Sequence, residues 1–132
     1  MVKKKATEIA YQEHSKFKVF VGMLTKSKSI GVLANKVAKF ADEQQIAAKS
    51  IGVEYLENPG QLLITLGYRD DEPYYPIQLH CSRLGKIDVL GGDYTALERA
   101  MEKVAQKYSN IICHELYATE EHELLMIVMT HA

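Results

Sequence analysis

The stretch Thr25-Lys26-Ser27-Lys28-Ser29 gathers three hydroxyls and two ammonium groups immediately ahead of an apolar pattern of helical period. A helix N-terminus offers unpaired backbone N–H groups and roughly half a positive charge. Together with the hydroxyls and lysines, those groups could hold a phosphate or a carboxylate. With no anion present, each exposed lysine opposes the helix dipole by about 0.3–1 kcal/mol. The stretch lacks the glycine pattern of a nucleotide P-loop. Its ordinary reading is that Ser27 or Ser29 caps the helix and both lysines are solvated.

His80-Cys81 and Cys113-His114 offer four metal-ligating side chains in two mirrored pairs. Neighbours on a strand point to opposite faces, so each pair gives one donor per face, whereas a closed zinc site needs four that converge. The same geometry separates each cysteine from its neighbouring histidine as a nucleophile and base. Asp70-Asp71-Glu72 and Glu120-Glu121-His122-Glu123 fall at turns, where solvated charge is ordinary. No catalytic set, metal site or cofactor is therefore expected.

The elements that carry these residues follow from periodicity. FKVFVGML sets Phe17, Val19, Val21 and Met23 on one face against Lys18, Phe20 and Gly22, the period of a strand. From Ser29 to about Asp42 the apolar residues Ile30, Leu33, Ala34, Val37, Phe40 and Ala41 recur at helical spacing. KSIGVEYLE and QLLITLGYR alternate on either side of Asn58-Pro59-Gly60, which predicts a hairpin. YPIQLHCSRL extends that meander by a third strand, with Ile77, Leu79 and Cys81 inward. Gly91-Gly92-Asp93 opens a second helix striped by Leu97, Ala100, Met101, Val104 and Tyr108, and Thr95 with Glu98 can form its capping box. IICHELYA and HELLMIVMT complete an order β-α-β-β-β-α-β-β. The expected class is α+β, with two helices packed on one face of a mostly antiparallel sheet. Residues 1–16 read as a loosely attached arm and 17–132 as the single domain. No repeat of solenoid period is visible.

A chain of 132 residues with 47% apolar composition fits one domain, able to bury about two-thirds of its unfolded surface. No apolar run approaches the roughly 20 residues of a membrane helix, and Lys3-Lys4-Lys5 leads into Ala-Thr-Glu rather than a signal-peptide core. Cys81 and Cys113 are the only cysteines, which predicts reduced thiols and a cytoplasmic setting. Net charge is −1, but residues 1–49 carry +6 and residues 50–132 carry −7.

The last strand is apolar on both sides: Leu124, Met126 and Val128 alternate with Leu125, Ile127 and Met129. Such a strand is central in its sheet or covered by something else, and the second case makes these six residues a partner interface. The run Val104-Ala105-Gln106-Lys107-Tyr108 followed by Leu125-Met126-Ile127-Val128 resembles the C-terminal half of the hypothetical chloroplast open reading frame family, small proteins also found in cyanobacteria. The resemblance implies a similar element order and no catalytic residue.

The expected function is that of a small non-catalytic binding or accessory protein acting through an apolar sheet face, its partner being itself or another protein. A nucleic-acid-binding module is the first alternative. It would use Lys3 to Lys5, Lys16, Lys18, Lys26 and Lys28 on phosphates, with Tyr11, Phe17 or Phe20 for stacking. The lack of arginine before Arg69 weighs against it. The second alternative, an enzyme on a small phosphorylated or carboxylated substrate at Thr25 to Ser29, lacks an identifiable acid, base or nucleophile.

Overall fold

The computed structural model describes residues 15–23, 28–56, 60–92, 94–119 and 121–132, the side chains of Met23, Lys28 and Ser29 excepted. The proposed arm up to residue 14 lies outside the described residues; Lys16, its last member, already belongs to a strand. In chain order the elements are β1 (Lys16–Met23), α1 (Lys28–Gln44), β2 (Ala47–Leu56), β3 (Gln61–Arg69), β4 (Ile77–Lys86), the single turn α2 (Ile87–Leu90), α3 (Tyr94–Ala105), β5 (Ile111–Ala118) and β6 (Glu123–His131). The class is α+β, in the order expected from the sequence with one added helical turn.

Helix α1 follows its apolar stripe: Ile30, Leu33, Ala34, Val37 and Ala41 are buried. It ends in a Schellman arrangement, because Gln45 adopts φ 51° and the Ile46 N–H donates to the Ala41 carbonyl at 3.3 Å. Ile46 is itself buried, so the cap delivers the chain straight from the helix into β2.

The strands divide into two antiparallel sheets, ordered β1-β3-β2 and β4-β6-β5. The expected continuation of the meander by Ile77–Lys86 is corrected here. Both edges of β3 are already taken, by β1 and by β2, and β4 pairs instead with β6. The edge strands β2 and β5 run beside each other, while α1 lies against β1 and β3 of one sheet and β4 of the other.

The main core therefore sits between the two sheets and around α1. Leu62, Ile64 and Leu66 of β3 share it with Leu33 and Val37 of α1 and with Ile127 and Met129 of β6. Each such side chain contributes roughly 1.5–3 kcal/mol on burial. A second cluster, Val104 with Met126 and Val128, joins α3 to the other face of the second sheet. The two long helices thus occupy opposite faces of that sheet. Among the described residues no helix is long and apolar enough to cross a membrane.

Candidate functional site

The six residues expected at a partner interface are largely interior. Leu125, Ile127 and Met129 pack into the main core, and Met126 and Val128 lie beneath α3 with Met101, Val104, Leu84 and Leu116. Leu124 is half-buried. Strand β6 is apolar on both faces because it is the central strand of its sheet and the chain itself covers each side. The expectation of an exposed surface from Leu124 to Met129 is corrected accordingly.

Thr25, Lys26 and Ser27 lie outside the described residues. Lys28 and Ser29 open α1 through their backbone.

The register separates the paired histidines and cysteines. His80 and His114 both sit opposite Val128, Cys113 sits opposite Met129, and Cys81 sits opposite Ile127. Among the described residues no group of three or more potential ligands could hold a metal ion. His80 stacks on Tyr108 with ring centroids 4.1 Å apart and lies 3.1 Å from the hydroxyl of buried Thr130; burial holds its pKa below the ordinary value. Both thiols are free and are pushed up by desolvation, Cys113 despite an opposing hydrogen bond from the Ile51 backbone. Cys81, expected inward, is exposed, although neighbouring atoms crowd its sulphur.

The acidic run after β3 is engaged in ion pairs. Asp71 meets Arg69 at 2.5 Å, Glu72 meets Arg69 at 3.3 Å and Lys49 at 2.5 Å, and Asp70 meets Lys16 at 2.5 Å. Arg69 holds Asp71 below the usual carboxylate range, while Lys16 and Lys49 are raised by their hydrogen bonds to Asp70 and Glu72. These pairs tie all three strands of the first sheet to the loop that leaves it.

Among the described residues, exposed large apolar side chains include Val32, Val89, Tyr94 and Ile111, and a further group lies together on the outer face of the first sheet. Phe17, Val19 and Val21 are 70%, 51% and 46% exposed, and Leu56 is 41% exposed. The register sets Phe17, Gly67 and Ser50 in one row, Val19, Thr65 and Gly52 in the next, then Val21, Leu63 and Glu54, with Gln61 and Leu56 beyond them. Glu54 is the only ionisable residue named in these rows.

Period two in β1 does not say which face is inward, and the more apolar face is the outer one. Gly22 marks the inner face: a Cβ there would lie 3.2 Å from the Leu33 side chain, which would have to give way, so the glycine eases the close approach of α1. Phe20 follows Gly22 inward and meets Phe40 edge-on at 5.7 Å, and Lys18 rests over the Phe40 ring. A small residue between bulky ones was the available signal.

No family model matches the chain, and no curated protein or solved structure matches it either.

Proposed function

We propose that this is a binding protein without catalysis of its own, that its working surface is the outer face of the first sheet, and that the surface is occupied by a second copy of the chain. The observation that carries this reading is the exposure of Phe17, Val19 and Val21 in one stripe along a strand that, among the described residues, pairs on one side only. Contiguous apolar surface of this kind marks interaction sites. A strand edge beside it offers unpaired backbone groups as well.

A second copy is favoured over a strongly charged partner because Glu54 is the only ionisable residue in the rows from Phe17 to Leu56, Arg69 at their end is ion-paired with Asp71 and Glu72, and the whole chain has a net charge of only −1. Copies therefore meet with little electrostatic resistance, and an apolar two-fold contact is self-complementary by construction. Free thiols at Cys81 and Cys113 fit a reducing compartment, so we place the protein in the cytoplasm.

Sedimentation velocity across a micromolar concentration series tests the reading. The parent chain should associate, and Val19→Lys with Val21→Lys should sediment as a folded monomer. A parent that stays monomeric, or a double variant that associates as the parent does, would overturn it.

A further inference from the structure

A second surface, on the other sheet, is built from charge rather than from apolar area. Arg83, Leu84, Ala100, Lys103, Val104 and Lys107 line a cavity of about 240 Å³ between the end of β4 and α3. Three of these six are cations and none is an acid. We propose that the cavity binds a small phosphate monoester, the phosphate held by Arg83, Lys103 and Lys107 and the organic part resting on Leu84, Ala100 and Val104.

The site is assembled by a feature of the backbone. The β4–β6 register shifts between Arg83 and Gly85, and Gly85 adopts φ 152°, a conformation that L side chains rarely take. Such bulges re-aim side chains: Arg83 stands opposite Leu125 of the main-core face, Leu84 belongs to the cluster beneath α3, and both line the cavity. The Nε of Arg83 donates to the carboxylate of Glu123, which fixes the guanidinium.

On the helix side, Lys103 lies in the last turn of α3 and Lys107 in the turn that follows, where its N–H donates to the Val104 carbonyl at 3.0 Å. Neither forms an ion pair among the described residues. A helix C-terminus favours nearby cations, but that does not account for an arginine brought across from a strand.

Charge and size select the ligand class. Three cations less the carboxylate of Glu123 leave two positive charges, which match a phosphate monoester above its second pKa of about 6. The volume falls below the roughly 300 Å³ at which drug-sized sites begin, which suits a small ester. Arginine supplies the fork geometry suited to phosphate, and the lysines add point charge.

The cavity lies on the second sheet and does not depend on self-association through the first. Calorimetric titration of the full chain with phenyl phosphate, inorganic phosphate and a single-stranded RNA oligonucleotide tests the assignment. Saturable binding of phenyl phosphate is expected, tighter than that of inorganic phosphate because only the ester reaches the apolar floor. Lys103→Ala with Lys107→Ala should weaken it about tenfold or more, while Lys36→Ala on α1 should leave it unchanged. Circular dichroism checks that the exposed substitutions leave the fold intact. Absence of saturable binding, or equal affinity in parent and double variant, would overturn the proposal. RNA binding tighter than phenyl phosphate and lost in the same double variant would also overturn it, by making the cavity part of a polyanion track.

Discussion

Residues 16–69 and 77–131 run through the same topology twice. Each has a strand, a helical segment and two further strands, with the third strand placed between the first and second. In each, the register of the second strand against the third shifts near its start, between Ala48 and Ser50 in one and between Ile111 and Cys113 in the other. The difference lies in the helix. In the first unit α1 turns into the space between the sheets and buries five residues of its stripe; in the second, α3 lies on the outside and buries Val104 alone. Among the described residues the second sheet is consequently covered on both faces and the first on one. One local topology thus yields a closed half and an open half, and the open half carries the apolar surface.

The largest test of this contrast compares the two helices. Leu33→Ala should destabilise the protein by about 3 kcal/mol, because Leu33 is 1% exposed in the core that both sheets share. Met101→Ala, on the half-buried stripe of α3, should cost about 1 kcal/mol. Urea denaturation of both variants gives the comparison; similar losses would remove the distinction between an inner and an outer helix.

The next test concerns how α1 reaches its place. Gly22→Val should cost about 2 kcal/mol by overpacking against Leu33, measured in the same way. An unchanged midpoint would show that α1 does not depend on that close approach.

A smaller effect should come from the α3 side. Burial lowers the pKa of His80 in the folded chain below its ordinary 6.5, so the unfolded chain binds more protons at mildly acidic pH. The stability this contributes is fully present above about 6.5 and is lost as pH falls through the folded value. Thermal unfolding between pH 7 and pH 5 should show this decline, and His80→Gln should flatten it. The ion-paired Asp71, held below 3.8 by Arg69, adds its own loss only at lower pH, which keeps the two windows apart. An unaltered slope in the histidine variant would assign the decline to other groups.

The elements themselves were legible in the sequence, and their partners were not. Gln61–Arg69 could be read because Leu62, Ile64, Leu66 and Tyr68 fall on one face between a glycine turn and an acidic run. The stripe of α1 was equally plain. Pairing of β4 with β6 depends on contacts far apart in the chain, which periodicity does not encode. For β1, alternation separated the two faces without ranking them, and the apolar face proved to be outside because Gly22 marks the side the helix approaches. For β6, apolarity on both faces signalled full cover, and the chain supplies that cover with α3 and the first unit. The cavity at Arg83 was invisible for a related reason: its lysines lie some 20 residues further along the chain, and the packing of α3 on the second sheet brings them to it.

The most direct measurement of the central claim is methyl-resolved NMR across a concentration series of the intact protein. The account predicts that Val19, Val21 and Leu56 shift together as concentration rises, while Leu116, Met126 and Val128 beneath α3 stay fixed. Shifts confined to the α3 side, or no concentration dependence at Val19 and Val21, would contradict it.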